Sequence, residues 1–422
     1  MKHVEWSKRA NLYEVNIRQY TPEGTLNAFR KHIPRLHAMG VDTLWVMPVQ
    51  PIGKVNRKGS LGSYYSIRDY VNINPEFGTL DDFQALVDDA HKLGMKVLLD
   101  WVANHTAWDH VWTESDPDYY RKDEEGNFDS PWDWTDVIAL DYTKQEMRKA
   151  MISAMEFWLK ETNIDGFRCD MAGMVPVDFW EEARNALDPE RKLFMLAEDE
   201  NEVRLLDEAF DMNFTWEMHH LMNEIAKGEK NASAIWDKYQ EYTERYPASA
   251  YRMYFTSNHD ENSHSGSAFE RMGEAAPAFA ALTYLLPGMP LTYSGQETAY
   301  AKRLSFFEKD KIDWSDLALE EFYRKMNLAK RDNKALWCGS SGGDMVDINQ
   351  GKNNNIFAVK RELDDNRILG ILNLSGEKQQ LTLDNDRLAG TYRDIFTDEF
   401  HYPGLGFTFD LDPWSYFVLV RI

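Results

Sequence analysis

The chain has 422 residues, enough for one large barrel and a small appendage and too many for one ordinary domain. Its 47 Lys and Arg against 70 Asp and Glu leave a net charge of −23, a surface that repels phosphate backbones and anionic bilayers and argues against nucleic-acid or membrane partners. Two cysteines, Cys169 and Cys338, do not suggest a disulfide framework, and no apolar run is long enough to span a bilayer. Residues 1–6 lack the apolar segment of a leader peptide, so the default expectation is a cytoplasmic protein, or an exported one whose leader has been removed.

Residues 11–17 alternate apolar and polar side chains, as a first strand would. Residues 25–39 carry Leu26, Phe29, Ile33 and Leu36 at helical spacing, with Gly40 as the stop. Residues 41–47 are nearly continuously apolar, which suits a strand of a parallel sheet covered on both faces. A loop rich in Gly, Ser and Tyr follows, then a predicted helix over 80–93 with Asp81 and Asp82 in its first turn and Gly94 beyond its end. Residues 96–100 form a third strand ending on Asp100. The alternation predicts right-handed βαβ units.

Residues 106–142 break the pattern. They show no helical period and hold Trp108, Trp112, Trp132 and Trp134 among many acids, and a connection this long is usually functional. Helices are then predicted over 146–162, 179–187, 218–226, 276–285 and 320–330. Strands are predicted over 164–170, 193–198, 210–214, 251–256 and 289–293. Eight strand–helix units predict a (β/α)8 barrel. After about residue 341, short strands at 356–360, 368–372, 380–383 and 416–420 lie between Asn, Asp and Gly turns, as in a small antiparallel domain. The expected organisation is a barrel over 1–105 and 143–340, an inserted segment over 106–142, and a C-terminal β-sandwich over 341–422.

Barrel enzymes place their chemistry at the C-terminal strand ends. The polar residues there are Asp100, Asn104 and His105, then Arg168 and Asp170, Glu198, and His259 with Asp260. Arg168 and Asp170 are two apart in a strand, so they share a face, and the guanidinium favours the ionised carboxylate. That pair alone reads as a structural ion pair. Four strand ends delivering carboxylates to one rim are harder to explain as packing, because buried carboxylates are costly unless paired or used. Two carboxylates in different environments can serve as acid and nucleophile on a glycosidic bond.

At these residues the chain resembles the α-amylase family of glycoside hydrolases. Asp100-Trp101-Val102-Ala103-Asn104-His105 is similar to the family's third-strand motif, Gly166-Phe167-Arg168-Cys169-Asp170 to the fourth, and Ser257-Asn258-His259-Asp260 to the seventh. The segment 63–70 resembles the loop after the second strand, and 288–297 resembles the eighth-strand motif. The resemblance implies Asp170 as nucleophile, Glu198 as general acid and base, and Asp260 as the residue that favours a distorted sugar. It implies that Tyr65 stacks under the sugar and that Asp100, His105, Arg168 and His259 surround it, and Met174 and Trp108 are candidates for the leaving-group side. Retention of configuration would follow, with the two carboxyls roughly 5–5.5 Å apart.

The implied substrate is an α-glucan or maltooligosaccharide with α-1,4 links. The implied chemistry needs no cofactor. Many members hold a structural calcium, but here Ala172-Gly173-Met174 stands where they have Lys-His, and Ile138-Ala139-Leu140-Asp141 lacks one Asp of their set, although Asn104 is present. Two other readings stay open: a transglycosylase or isomerase on the same site, and a non-catalytic carbohydrate-binding or transport-associated subunit.

Overall fold

A computed structural model describes residues 2–190, 192–384 and 386–422, so Met1, where the leader reading begins, lies outside the described residues. Eight strands close a parallel barrel: β1 Leu12–Val15, β2 Thr43–Val46, β3 Lys96–Val102, β4 Gly166–Asp170, β5 Phe194–Ala197, β6 Met212–Phe214, β7 Tyr251–Phe255 and β8 Met289–Tyr293. β1 pairs with both β2 and β8, which closes the ring. The strands are buried almost throughout, which explains their near-continuous apolar character. One cluster, including Leu98, Phe194, Leu196, Met253 and Met289, fills the barrel interior. A larger one packs the helices against the outer face.

β3 runs to Val102, so Asp100 sits inside a strand and not at its end. The helix expected over 25–39 is two helices, Leu26–Arg30 and Ile33–Ala38. Pro34 is the cause, since its ring would clash with the carbonyl four residues back and it has no N–H to give. The helix Ala234–Arg245 lies outside the predicted elements. Only Ile235 and Tyr242 on it are buried, too few to show a period.

Between β3 and the helix Gln145–Thr162, the inserted segment holds one antiparallel pair, His105–Ala107 with Val137–Ala139. It is tied to the loop after β2 by Ala107 N–H donating to Ile67 O at 2.8 Å and Val111 N–H donating to Arg68 O at 3.1 Å. Beyond the barrel, a six-stranded antiparallel sheet and a separate two-stranded one enclose a third apolar cluster. Their strands Asp344–Asp347, Tyr392–Asp394, Phe400–His401 and Thr408–Leu411 lie outside the expected ones, and Tyr392–Asp394 and Phe400–His401 are too short to show alternation. Among the described residues, no helix is long and apolar enough to cross a membrane.

Candidate active site

Arg168 is the centre of the barrel mouth. It is fully buried, and its Nη1 donates to Asp100 Oδ1 at 2.9 Å and to Asp170 Oδ1 at 3.1 Å. Its Nη2 makes an ion pair with Glu198 Oε2 at 2.8 Å, without hydrogen-bond alignment. The guanidinium also lies over Trp45 at 4.9 Å and Phe214 at 5.5 Å. A cation held by three carboxylates and two aromatic faces can stay charged out of water. Three strands, β3, β4 and β5, deliver its acidic partners, so the barrel closure itself builds the cluster.

Burial pushes the Asp170 carboxyl well above the usual carboxylate range, the Glu198 charge adds to this, and Arg168 opposes it. This corrects the expectation that Arg168 holds Asp170 low. One guanidinium is divided among three acids, and each neighbouring charge makes ionising Asp170 harder. Glu198 Oε2 also accepts from the Met171 N–H at 3.0 Å. Met171 takes a left-handed φ of 45°, a conformation that turns the chain after β4 and aims this N–H at Glu198.

A second network lies beside the first. The Asp100 carboxylate accepts from Trp45 Nε1 at 2.9 Å and from the Tyr65 hydroxyl at 3.0 Å. The Tyr65 oxygen is 2.7 Å from His259 Nε2, and the two rings stack at 5.2 Å. His259 Nδ1 lies 2.5 Å from Glu14 Oε1, and its Nε2 is 3.4 Å from Asp260 Oδ2. Burial alone would lower the His259 pKa, but Asp260 and Glu14 outweigh it and raise it to about 9. A doubly protonated ring then donates to Glu14 and to Tyr65, and Tyr65 donates to Asp100. Burial lowers His105 to about 4, so it is neutral, and Asn104 Nδ2 donates to its Nδ1 at 3.2 Å.

These groups surround a cavity of about 320 Å³. Tyr65, His105, Asp170, Glu198 and Asp260 line it. Asp100, Arg168 and His259 are buried beneath it and touch its walls without lining it. Trp108 does not line it, and its indole donates to Thr135 O at 3.0 Å. Met174, half exposed, faces a neighbouring cavity of about 800 Å³ together with Trp132. Sequence reasoning did not nominate Lys58, Trp134, Asp136, Met171, His264, Phe306 or Phe307, all of which line the cavity, nor Glu14 below it. Phe306-Phe307 in a charged loop was the one available signal, an apolar pair with no helical or strand period around it.

The residues at the implied calcium position do not fit that ion. Calcium takes six to eight oxygen ligands. Asp141 Oδ1 already accepts from the Thr143 N–H and hydroxyl, at 3.0 and 2.6 Å. Arg148 lines the same cavity as Asn104 and Asp141, and its Nε donates to Tyr142 O at 3.0 Å. Among the described residues, no group of three or more His, Cys, Asp or Glu is arranged to hold a metal.

The alpha-amylase catalytic-domain model matches residues 7–337. The chain is 28% identical over 421 residues to alpha-amylase MalA of Haloarcula japonica, covering 93% of this chain and 60% of that one. It thus spans less than two thirds of that relative's length. Among solved structures, it superposes on a noncanonic maltogenic alpha-amylase AmyB from Thermotoga neapolitana with a TM-score of 0.90 and 29% identity, covering 99% of each chain. An alpha-amylase from Lactobacillus plantarum gives a TM-score of 0.88 and 28% identity, over 99% of this chain and 100% of that one.

Proposed function

The chain belongs to the α-amylase family, and we propose that it is a retaining glycoside hydrolase that cuts α-1,4-glucosidic bonds in maltooligosaccharides. The observation that carries this reading is the shared guanidinium: Arg168 contacts Asp170 at 3.1 Å and Glu198 at 2.8 Å at the floor of one cavity. Two carboxyls anchored on one guanidinium at the floor of one cavity can act on the same glycosidic bond, one as nucleophile and one as acid, which supports a two-carboxylate mechanism.

Asp170 attacks the anomeric carbon, and Glu198 protonates the departing oxygen. The first step needs one ionised and one protonated carboxyl. The mechanism puts the charge on Asp170 and the proton on Glu198 once a sugar lies between them. The positive charge that develops on the sugar favours ionised Asp170, which burial otherwise opposes. Glu198 then takes a proton from water, and the hydroxide equivalent breaks the glycosyl–Asp170 bond. Asp260, with its side chain 41% exposed at the rim, reaches the sugar hydroxyls and favours the distorted ring. Tyr65 presents its ring to the sugar while its hydroxyl is held by Asp100 and His259.

The test is product analysis on maltoheptaose with NMR of the first-formed anomer. Fresh α-anomer supports the reading. Fresh β-anomer, or no cleavage, overturns it. Longer saccharides appearing with added maltose would identify transfer on the same covalent intermediate.

A further inference from the structure

We infer that the cavity is walled on the side that receives the non-reducing part of a saccharide, so that this chain trims short pieces from non-reducing ends and does not cut within long glucans. The inference rests on the hydrolase reading above and specifies its substrate class. Glu198 follows β5 and meets the leaving sugar, so the retained sugars point away from it. In a ring ordered β1-β8-β7-β6-β5-β4-β3-β2, β1 lies across from β5. The retained part therefore runs toward the rim over β1.

That rim is continuous. The loops after β2 and β8 meet there, with Leu61 N–H donating to Phe307 O at 3.1 Å and Ser60 N–H donating to Glu308 Oε1 at 2.8 Å. Arg18, buried just past β1, locks the junction from below. Its Nη1 donates to Gly62 O at 3.0 Å and to Phe306 O at 3.4 Å, and its Nη2 donates to Leu61 O at 3.3 Å. Gly59 has a φ of +64°, and a Cβ there would stand 2.5 Å from Phe307 Cβ, so the two loops approach as closely as only glycine allows. On the other flank Lys58 Nζ pairs with Asp136 Oδ1 at 2.9 Å, which joins the β2 loop to the inserted segment.

Lys58, Asp136, Phe306 and Phe307 all line the cavity, so these ties form its wall and not a remote brace. A glucan threaded through the site would have to pass where the two loops are hydrogen-bonded. The volume of about 320 Å³ is at the small end for ligand sites. The Lys58–Asp136 pair, with Asp136 buried and Lys58 partly exposed, adds one more tie. The backbone ties and buried Arg18 make the wall persistent.

The experiment compares maltoheptaose with maltoheptaose carrying an ethylidene acetal at its non-reducing end, products being separated by anion-exchange chromatography. The expected result is a short saccharide of one length released from the free substrate from the earliest time points, with the blocked one cut at least about 100-fold more slowly. The variant Arg18→Ala, which removes the three donations that lock the two loops together, should narrow that ratio by about 10-fold or more, read on protein whose circular dichroism matches the wild type. Equal cleavage of both substrates would overturn the inference and leave the hydrolase reading standing. Cleavage of neither would overturn the hydrolase reading, and the inference with it.

Discussion

Glu14 Oε1 lies 2.5 Å from His259 Nδ1, the far side of the ring from Tyr65 and Asp260. With Asp260 facing the opposite ring nitrogen, Glu14, fully buried on β1, is the second carboxylate that supports the imidazolium, and it does not line the cavity. It therefore acts on the site through His259 and is a positioning residue. Glu14→Gln should lower the His259 pKa from about 9 toward its ordinary value near 6.5. At pH 8 kcat/KM should then fall about 10-fold, with a smaller loss at pH 6, where the ring is protonated in either protein. The measurement is the pH profile of kcat/KM; a uniform loss at all pH values would assign Glu14 a purely structural role.

The same pair predicts how stability depends on pH. The folded-state pKa of His259 is raised to about 9, so its contribution is fully present below the unfolded value near 6.5 and is lost as pH rises through about 9. The slope for one proton is at most about 1.4 kcal/mol per pH unit. Thermal melts of the wild type should decline from pH 7 to pH 9.5 more steeply than those of His259→Gln. Parallel declines would remove His259 as the cause.

Arg168 compensates three carboxylates at once. Arg168→Met leaves them buried with no counter-charge, a loss of about 3–5 kcal/mol by analogy with broken buried ion pairs. Arg168→Lys should recover little, because one ammonium cannot reproduce contacts made by two separate guanidinium nitrogens over an aromatic floor. Denaturant unfolding of both variants measures this. Lowering the pH toward 5 should narrow the deficit of Arg168→Met, since protonating Asp170, whose carboxyl is already raised, removes one of the unpaired charges.

The barrel was legible because parallel strands covered on both faces leave nearly continuous apolar runs, and β2, β5 and β8 each carry one. The rim residues were legible for a second reason: the fold sends whatever follows a strand to one end. Depth was not legible. Alternation places Glu14 on the inward face of β1 but does not say that His259 waits there from β7. The i, i+2 relation showed Arg168 beside Asp170, yet Glu198 and the burial that outweighs Arg168 come from other strands. In the inserted segment no period assigns a face, so nothing separated Trp134, which lines the cavity, from Trp108, which does not.

Metal removal should change little. Asp141 Oδ1 is engaged by the Thr143 N–H and hydroxyl, and Arg148, which lines the same cavity, reaches Asp178 at 2.6 Å and Glu182 at 3.1 Å. Dialysis against EDTA should therefore shift Tm by no more than about 1 °C, against the several degrees expected when a ligand that binds only the native state is withdrawn. A drop of several degrees, reversed by calcium and not by magnesium, would show a site that the arrangement of Asp141 and Arg148 does not provide for.

Glu198→Gln separates the acid role from a structural one. Gln keeps the shape and can still face Arg168 and the Met171 N–H, so the fold should persist by circular dichroism. Turnover of maltooligosaccharides should fall by about 10²–10⁴-fold, the usual worth of a placed general acid. An α-glucosyl fluoride leaves without protonation, so its first step needs Asp170 alone. With that substrate the variant should show a rapid burst of fluoride followed by slow turnover, because the base for water is also gone. A variant equally impaired on both substrates would place Glu198 among the residues that shape the site and leave the acid unidentified, whereas a burst fixes the order of events: Asp170 forms its bond first, and Glu198 is needed on each side of it.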